Sequence, residues 1–195
     1  MNKSGQELLF PICIFDGSIK NQYMKYIFFF LFISWVFTSC STTYYIVRHA
    51  EKEVPATSPT MSTTGDVQLS AEGKVRAIEL RETLKDKKIR TIFSTNTIRT
   101  ISTAKPLSDL RGINIELYNH RDTLVQFIAR LNKIKKGNVL IVGHSNTVDD
   151  VVNKLCRAVQ IPKDLQETQY DNLYVVKKKG NKYFFENKKY GTPTN

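Results

Sequence analysis

Three places in this 195-residue chain set basic side chains just beyond an apolar, β-branched run. The first is Tyr44-Tyr45-Ile46-Val47, which ends in Arg48-His49. An Arg beside a His suits phosphoryl chemistry, because the guanidinium grips phosphate oxygens as a fork and a neutral imidazole can attack phosphorus. The second run ends in Ser94-Thr95, with Arg99 about one turn into the helical pattern that follows. The third, Val139-Leu140-Ile141-Val142, ends in Gly143-His144-Ser145-Asn146. Taken singly, such residues are ordinary: a His at a strand end is usually a satisfied polar group, and an Arg usually a surface cation. Their convergence on one place would make them a site.

Convergence depends on the elements around them. Residues 43–48, 90–94, 113–118 and 139–142 read as strands. Between them lie helical patterns, the first capped by Ser70 and running to about Lys87. In it Val75 and Ile78 recur at helical spacing, as do Ala77, Leu80 and Leu84. A second helix covers residues 97–110. A third carries Leu124, Phe127, Ile128, Leu131 and Ile134, and a fourth carries Val148, Val151, Val152 and Leu155, stopping before Pro162. Residues 53–68, rich in Pro, Thr, Ser and Gly, read as a loop over the end of the first strand. Residues 172–176 and 182–186, joined by Gly180-Asn181, predict a hairpin at the end of the sheet. Strands alternating with helices imply an α/β fold of three layers, α/β/α, around a mainly parallel sheet. Ligands of such sheets bind beyond the carboxyl ends of the strands. Arg48, His49, Arg99 and His144 all fall at that end.

The net charge of +11 calls for anionic partners. The basic residues are nevertheless scattered, with local runs at Lys135-Lys136, Lys177-Lys178-Lys179 and Lys188-Lys189, and no nucleic-acid-binding signature accompanies them, so no nucleic acid is expected. Cys13, Cys40 and Cys156 show neither metal-ligand spacing nor a disulfide framework.

The first forty residues read as a leader. Met24-Lys25 precedes an apolar stretch from Tyr26 to Phe37, and Thr38-Ser39-Cys40 follow. A cationic start, about a dozen apolar residues and small residues at the end make a secretory signal. The stretch is short of the ~20 residues of a membrane-spanning helix. Its end resembles a bacterial lipoprotein signal, in which Cys40 becomes the lipidated N-terminus, although Phe37 stands where Leu is usual; the other reading is a signal anchor with an incidental Cys. Residues 1–23 precede this signal awkwardly, and Met24 is the expected start. The functional domain is then residues 41–195, which keeps 26 basic against 16 acidic residues. The expected location is the bacterial cell envelope, as a periplasm-facing, lipid-anchored protein.

The chain resembles the histidine phosphatase superfamily, the phosphoglycerate-mutase-like fold. Arg48-His49-Ala50-Glu51-Lys52 matches its Arg-His-Gly motif in a familiar variant. Residues 66–73 (Asp-Val-Gln-Leu-Ser-Ala-Glu-Gly) are similar to the segment before its first helix. Residues 94–100, with Thr103-Ala104, resemble the stretch bearing its second phosphate-binding Arg, and residues 142–146 its second His motif. The resemblance implies that His49 attacks a phosphomonoester to give a phosphohistidine, while Arg48, Arg99 and His144 bind the non-bridging oxygens. It implies no cofactor and no metal, since the arginines supply the positive field. Ser94, Thr95 and Asn146 could add hydrogen bonds or serve as turn and cap residues. For the proton donor, larger members use a Glu in a Gly-rich motif absent here. Asp122, after the third strand, is read as the donor or as a helix cap, and Glu51 as a pocket-lining carboxylate or a solvated loop charge. The expected partner is a phosphorylated small molecule, glycan or phosphoprotein. A non-catalytic anion-binding module of the same fold, or a phosphosugar mutase, are the other readings.

Overall fold

The computed structural model describes residues 41–53 and 66–194, with the backbone alone for residues 120–123. The expected leader, Cys40 included, and nearly all of the expected loop 53–68 lie outside the described residues. The β-branched and aromatic residues that open the domain form β1 (Ser41–Arg48), and β2 (Ile89–Ser94), β3 (Ile115–Leu117) and β4 (Asn138–Gly143) follow. Helices α1 (Ala71–Leu84), α2 (Ile98–Arg111), α3 (His120–Lys133) and α4 (Ser145–Cys156) alternate with them. The chain closes with the hairpin β5 (Asn172–Lys179) and β6 (Lys182–Lys189).

These strands make a six-stranded sheet in the order β3-β2-β4-β1-β5-β6. The first four in that order run parallel, while β5 lies antiparallel to β1 and β6 to β5. The register sets Arg48 beside Gly143, and Ser94 beside Val142, so β1, β2 and β4 end level with one another. Alternation of side chains along the strands builds two cores. Tyr44, Ile46, Phe93, Val139 and Ile141 pack under Phe127, Leu131, Val151 and Val152 of α3 and α4. On the other face Val47, Ile92, Leu140 and Val142 meet Leu80 and Leu84 of α1 with Ala104 and Leu107 of α2. The three layers are thus those expected.

The details differ where the sequence pattern was ambiguous. Val75 and Ile78 are 54% and 45% exposed, because the buried stripe of α1 runs through Gly73, Ala77, Leu80 and Leu84. Gly73 lies so close to β1's exit loop that a Cβ there would stand 2.1 Å from the Glu51 carbonyl oxygen. Helix α1 stops at Leu84, where Lys87 N–H returns to the Leu84 carbonyl at 3.0 Å. The third strand is cut to three residues, whereas both hairpin strands extend through their lysines. Pairing of the hairpin backbone needs nothing from side chains that reach into water.

Candidate active site

Side chains from β1, β3, α2 and α4 and from the turns after β1 and β2 line a cleft of about 980 Å³ at the carboxyl ends of the parallel strands. Arg48, His49, Arg99 and His144 are all on its wall, together with Thr95 and Asn146. The sheet brings them together because β1, β2 and β4 end in register, as above.

His49 is 3% exposed. Its main-chain N–H donates to the Gly143 carbonyl at 2.9 Å, which ties the end of β1 to β4. Its Nδ1 stands 2.7 Å from the Ala50 carbonyl oxygen. That oxygen can only accept, so Nδ1 carries the proton and Nε2 keeps the lone pair. Burial pushes the imidazole pKa down to about 3; the Ala50 hydrogen bond opposes this, and the charges of Arg48, His144 and Arg99 reinforce it. His49 is therefore neutral at any ordinary pH, with its Nδ1 hydrogen held and its Nε2 lone pair free of the proton. Ala50 N–H in turn donates to Thr103 Oγ1 at 2.9 Å, pinning the turn after β1 to α2.

Arg48 is 2% exposed and is held by the segment before β5. One terminal nitrogen donates to the Gln166 and Glu167 carbonyls at 2.9 and 3.1 Å, and the other to Glu167 Oε2 at 3.0 Å. The guanidinium also lies 4.3 Å over the Tyr170 ring. Arg99 donates to Asp66 Oδ1 and to His144 Nδ1, each at 3.2 Å. His144 thus accepts at Nδ1, and its Nε2 hydrogen is directed to Thr95 Oγ1 at 3.0 Å. Both Arg48 Nε and Arg99 Nε are buried without a hydrogen-bond partner among the described residues. A buried donor left unpaired costs free energy. Two of them beside a neutral imidazole make a place for an oxyanion.

The end of β4 explains how His144 is aimed. Its N–H donates to Thr147 Oγ1 at 2.7 Å, opening α4 immediately after the strand. The turn needs Gly143: a Cβ would meet Thr147 Oγ1 at 2.5 Å and the Tyr118 hydroxyl at 2.8 Å.

Other expected site residues fall elsewhere. Ser94 is fully buried, and its hydroxyl donates to the Thr95 carbonyl at 2.9 Å, so it is not on the cleft wall. Glu51 does not line the cleft either, since Arg76 holds both its oxygens, Nε donating at 2.7 and 2.9 Å. Arg76 also donates to the Thr192 carbonyl at 2.9 Å, so the chain's last residues brace the turn after His49. Asp122 lies within the first turn of α3, which begins at His120, rather than at its cap; its side chain lies outside the described residues. Glu167, Lys52, Asp66 and Tyr170 escaped the sequence reading. Asp66, in the segment before α1, carried a signal through its place in the resemblance. Glu167 sits in an irregular stretch without periodicity and carried none.

Comparison with solved structures returns the same architecture. A protein assigned as an alpha-ribazole-5'-P phosphatase from Escherichia coli superposes with a TM-score of 0.58 at 14% identity, over 74% of this chain and 94% of that one. One assigned as phosphohistidine phosphatase SixA from Agrobacterium tumefaciens gives 0.57 at 16% identity, over 78% and 98%. Phosphoglycerate mutase from Bacillus anthracis gives 0.54 at 15%, over 76% and 92%. The fold is phosphoglycerate-mutase-like. Residues 44–122 match the family model of the histidine phosphatase superfamily (branch 1). No curated protein sequence matches this chain. The matched segment contains Arg48, His49 and Arg99, while His144 and Glu167 come from beyond it. The family match supports phosphatase activity in general.

Proposed function

We propose that the chain is a phosphomonoester hydrolase working through a phosphohistidine on His49, exported to the cell envelope and tethered there through Cys40. The observation that carries the chemistry is the pairing of a neutral His49, its Nδ1 proton fixed on Ala50, with two buried arginine Nε–H groups. His49 Nε2 attacks phosphorus as the ester P–O bond breaks opposite it. Arg48 and Arg99 take up the charge spread over the equatorial oxygens, and His144 helps to hold one of them. The departing oxygen takes a proton, and water then attacks the phosphohistidine to release phosphate and restore His49. The donor role is assigned to Asp122, which follows β3; Glu51 is tied to Arg76, and Glu167 is paired with Arg48 and Lys52. The apolar stretch before Cys40 supports export, and strand β1 starting at Ser41 leaves a tether of almost no length.

Residues 41–195 hold the complete sheet and both cores, and this segment is the enzyme to assay. It should release phosphate from an aryl phosphate with chelator present, and acid-labile phosphate should be trapped on His49 by rapid quench. His49→Ala with unchanged turnover would sink the mechanism. Anion binding without turnover would favour the non-catalytic module instead. Mass spectrometry of the mature protein, showing a diacylglyceryl group on residue 40 as its N-terminus, tests the tether.

A further inference from the structure

We propose that the end of the sheet opposite the cleft is a docking face for an anionic lipid surface. Three connections meet there: residues 85–90 before β2, 133–138 before β4, and 177–182 at the hairpin turn. They hold eleven Lys or Arg against one acid, Asp86. Their proximity is explicit in the contacts between them. Asn138 N–H donates to the Lys88 carbonyl at 3.2 Å, and Lys178 Nζ donates to the Asn132 carbonyl at 3.0 Å. Burial and the nearby charges of Arg157 and Lys135 all lower the Lys178 pKa, as expected where cations crowd together.

Cations at helix C-termini have an ordinary explanation, since they offset the helix dipole. Four helices end on this face, and each terminus carries only about half a negative charge. The positive excess goes well beyond what they need. It also includes Lys179 and Lys182, which sit on strands. A groove of about 390 Å³ runs between Lys88, Arg90 and Arg111, wide enough for a phosphate headgroup. Arg111 Nε lies buried on it without a partner among the described residues. Apolar groups border the cations: Phe184, two residues beyond Lys182, is 55% exposed, and Leu110 is exposed at the end of α2. Basic side chains with intervening exposed aromatics are the composition of a membrane-surface face.

The choice of occupant rests on where the chain comes in. Ser41 pairs with Lys179 at this same end, so the described domain begins at the cationic face, and the apolar sequence 26–37 and Cys40 come just before it in the chain. This argument rests on the exported, tethered reading, but the test does not need the leader. Strand β1 then runs eight residues, about 25 Å, from the docking face to Arg48, which turns the cleft away from the lipid.

Residues 41–195 should cosediment with phosphatidylglycerol vesicles and not with phosphatidylcholine vesicles, and raised salt should release them. A variant with Lys88→Glu, Lys135→Glu, Lys179→Glu and Lys182→Glu should lose about a thousandfold in affinity, at the usual increment per basic residue. A control with Lys74→Glu and Lys163→Glu, on residues that line neither face, should bind as the parent does, and both variants should keep aryl phosphate hydrolysis. Equal binding to both vesicle types, loss in the control alone, or equal affinity for a DNA duplex at the same salt would overturn the proposal. Lipid binding is read without turnover, so it can fail while the phosphatase reading stands, and the reverse.

Discussion

Glu167→Gln is expected to strengthen anion binding. Glu167 Oε2 lies 3.0 Å from an Arg48 terminal nitrogen and 3.5 Å from Lys52 Nζ, on the wall of the cleft. A phosphoryl group on Arg48 must approach this carboxylate or displace it. Burial alone would raise the Glu167 pKa, but the charges of Arg48 and Lys52 outweigh it and hold the group below its ordinary value of 4.5. It is thus anionic throughout the working range of pH. The side chain is 68% exposed, so solvent screening keeps its pairing energy near that of a surface ion pair, at most about 1 kcal/mol. Removing the charge while keeping an acceptor oxygen should tighten vanadate or inorganic phosphate about fivefold, since ~1.4 kcal/mol is a factor of ten. The inhibition constant against aryl phosphate hydrolysis measures this. The gain should shrink in about 1 M salt, where the Debye length is ~3 Å. It should vanish only well below pH 4.5, where the parent's carboxylate is protonated too. An inhibition constant unchanged or raised in Glu167→Gln would refute the reasoning.

Further expectations concern stability. The pKa of His49 is lowered from 6.5 to about 3, so below pH 6.5 the unfolded chain takes up a proton that the folded one refuses. Folding stability should therefore drop as the pH is lowered from 6.5 toward 3, by about 1.4 kcal/mol per unit, and be at full strength above 6.5. Denaturant titrations at pH 7 and pH 5 should show this slope in the parent and its loss in His49→Gln. Gly73→Ala should destabilise by about 1–3 kcal/mol, because its Cβ would press on the Glu51 carbonyl; an unchanged melting temperature would contradict the packing described.

The parts of this site that could be read from the sequence are those that sit where a pattern ends. Arg48-His49 and His144 close apolar strands, and Arg99 follows a strand by one turn, so parallel topology alone puts them together. Residues that act through contacts distant in sequence were hidden. Glu167 reaches Arg48 across 119 positions, from a stretch with neither strand nor helix period. Glu51 reads from sequence as a pocket-lining carboxylate or a solvated loop charge, yet Arg76, 25 residues on, turns it into a brace. Val75 and Ile78 have helical spacing too, but Gly73 and Ala77 bring a different stripe of α1 against the sheet, so periodicity alone chose too wide a face. Ser94 ends a strand as the arginines do, and its short hydroxyl is satisfied by its own neighbour's carbonyl before it can reach the cleft.

The place of β1 in the sheet has a consequence for how the molecule forms. Among the described residues it is the first strand synthesised, yet its neighbours are β4, paired about a hundred residues later, and β5, from near the end of the described chain. The strand that delivers His49 therefore cannot be flanked on both sides until almost the whole domain is available. Such long-range closure slows folding, and it leaves an apolar strand exposed while it waits.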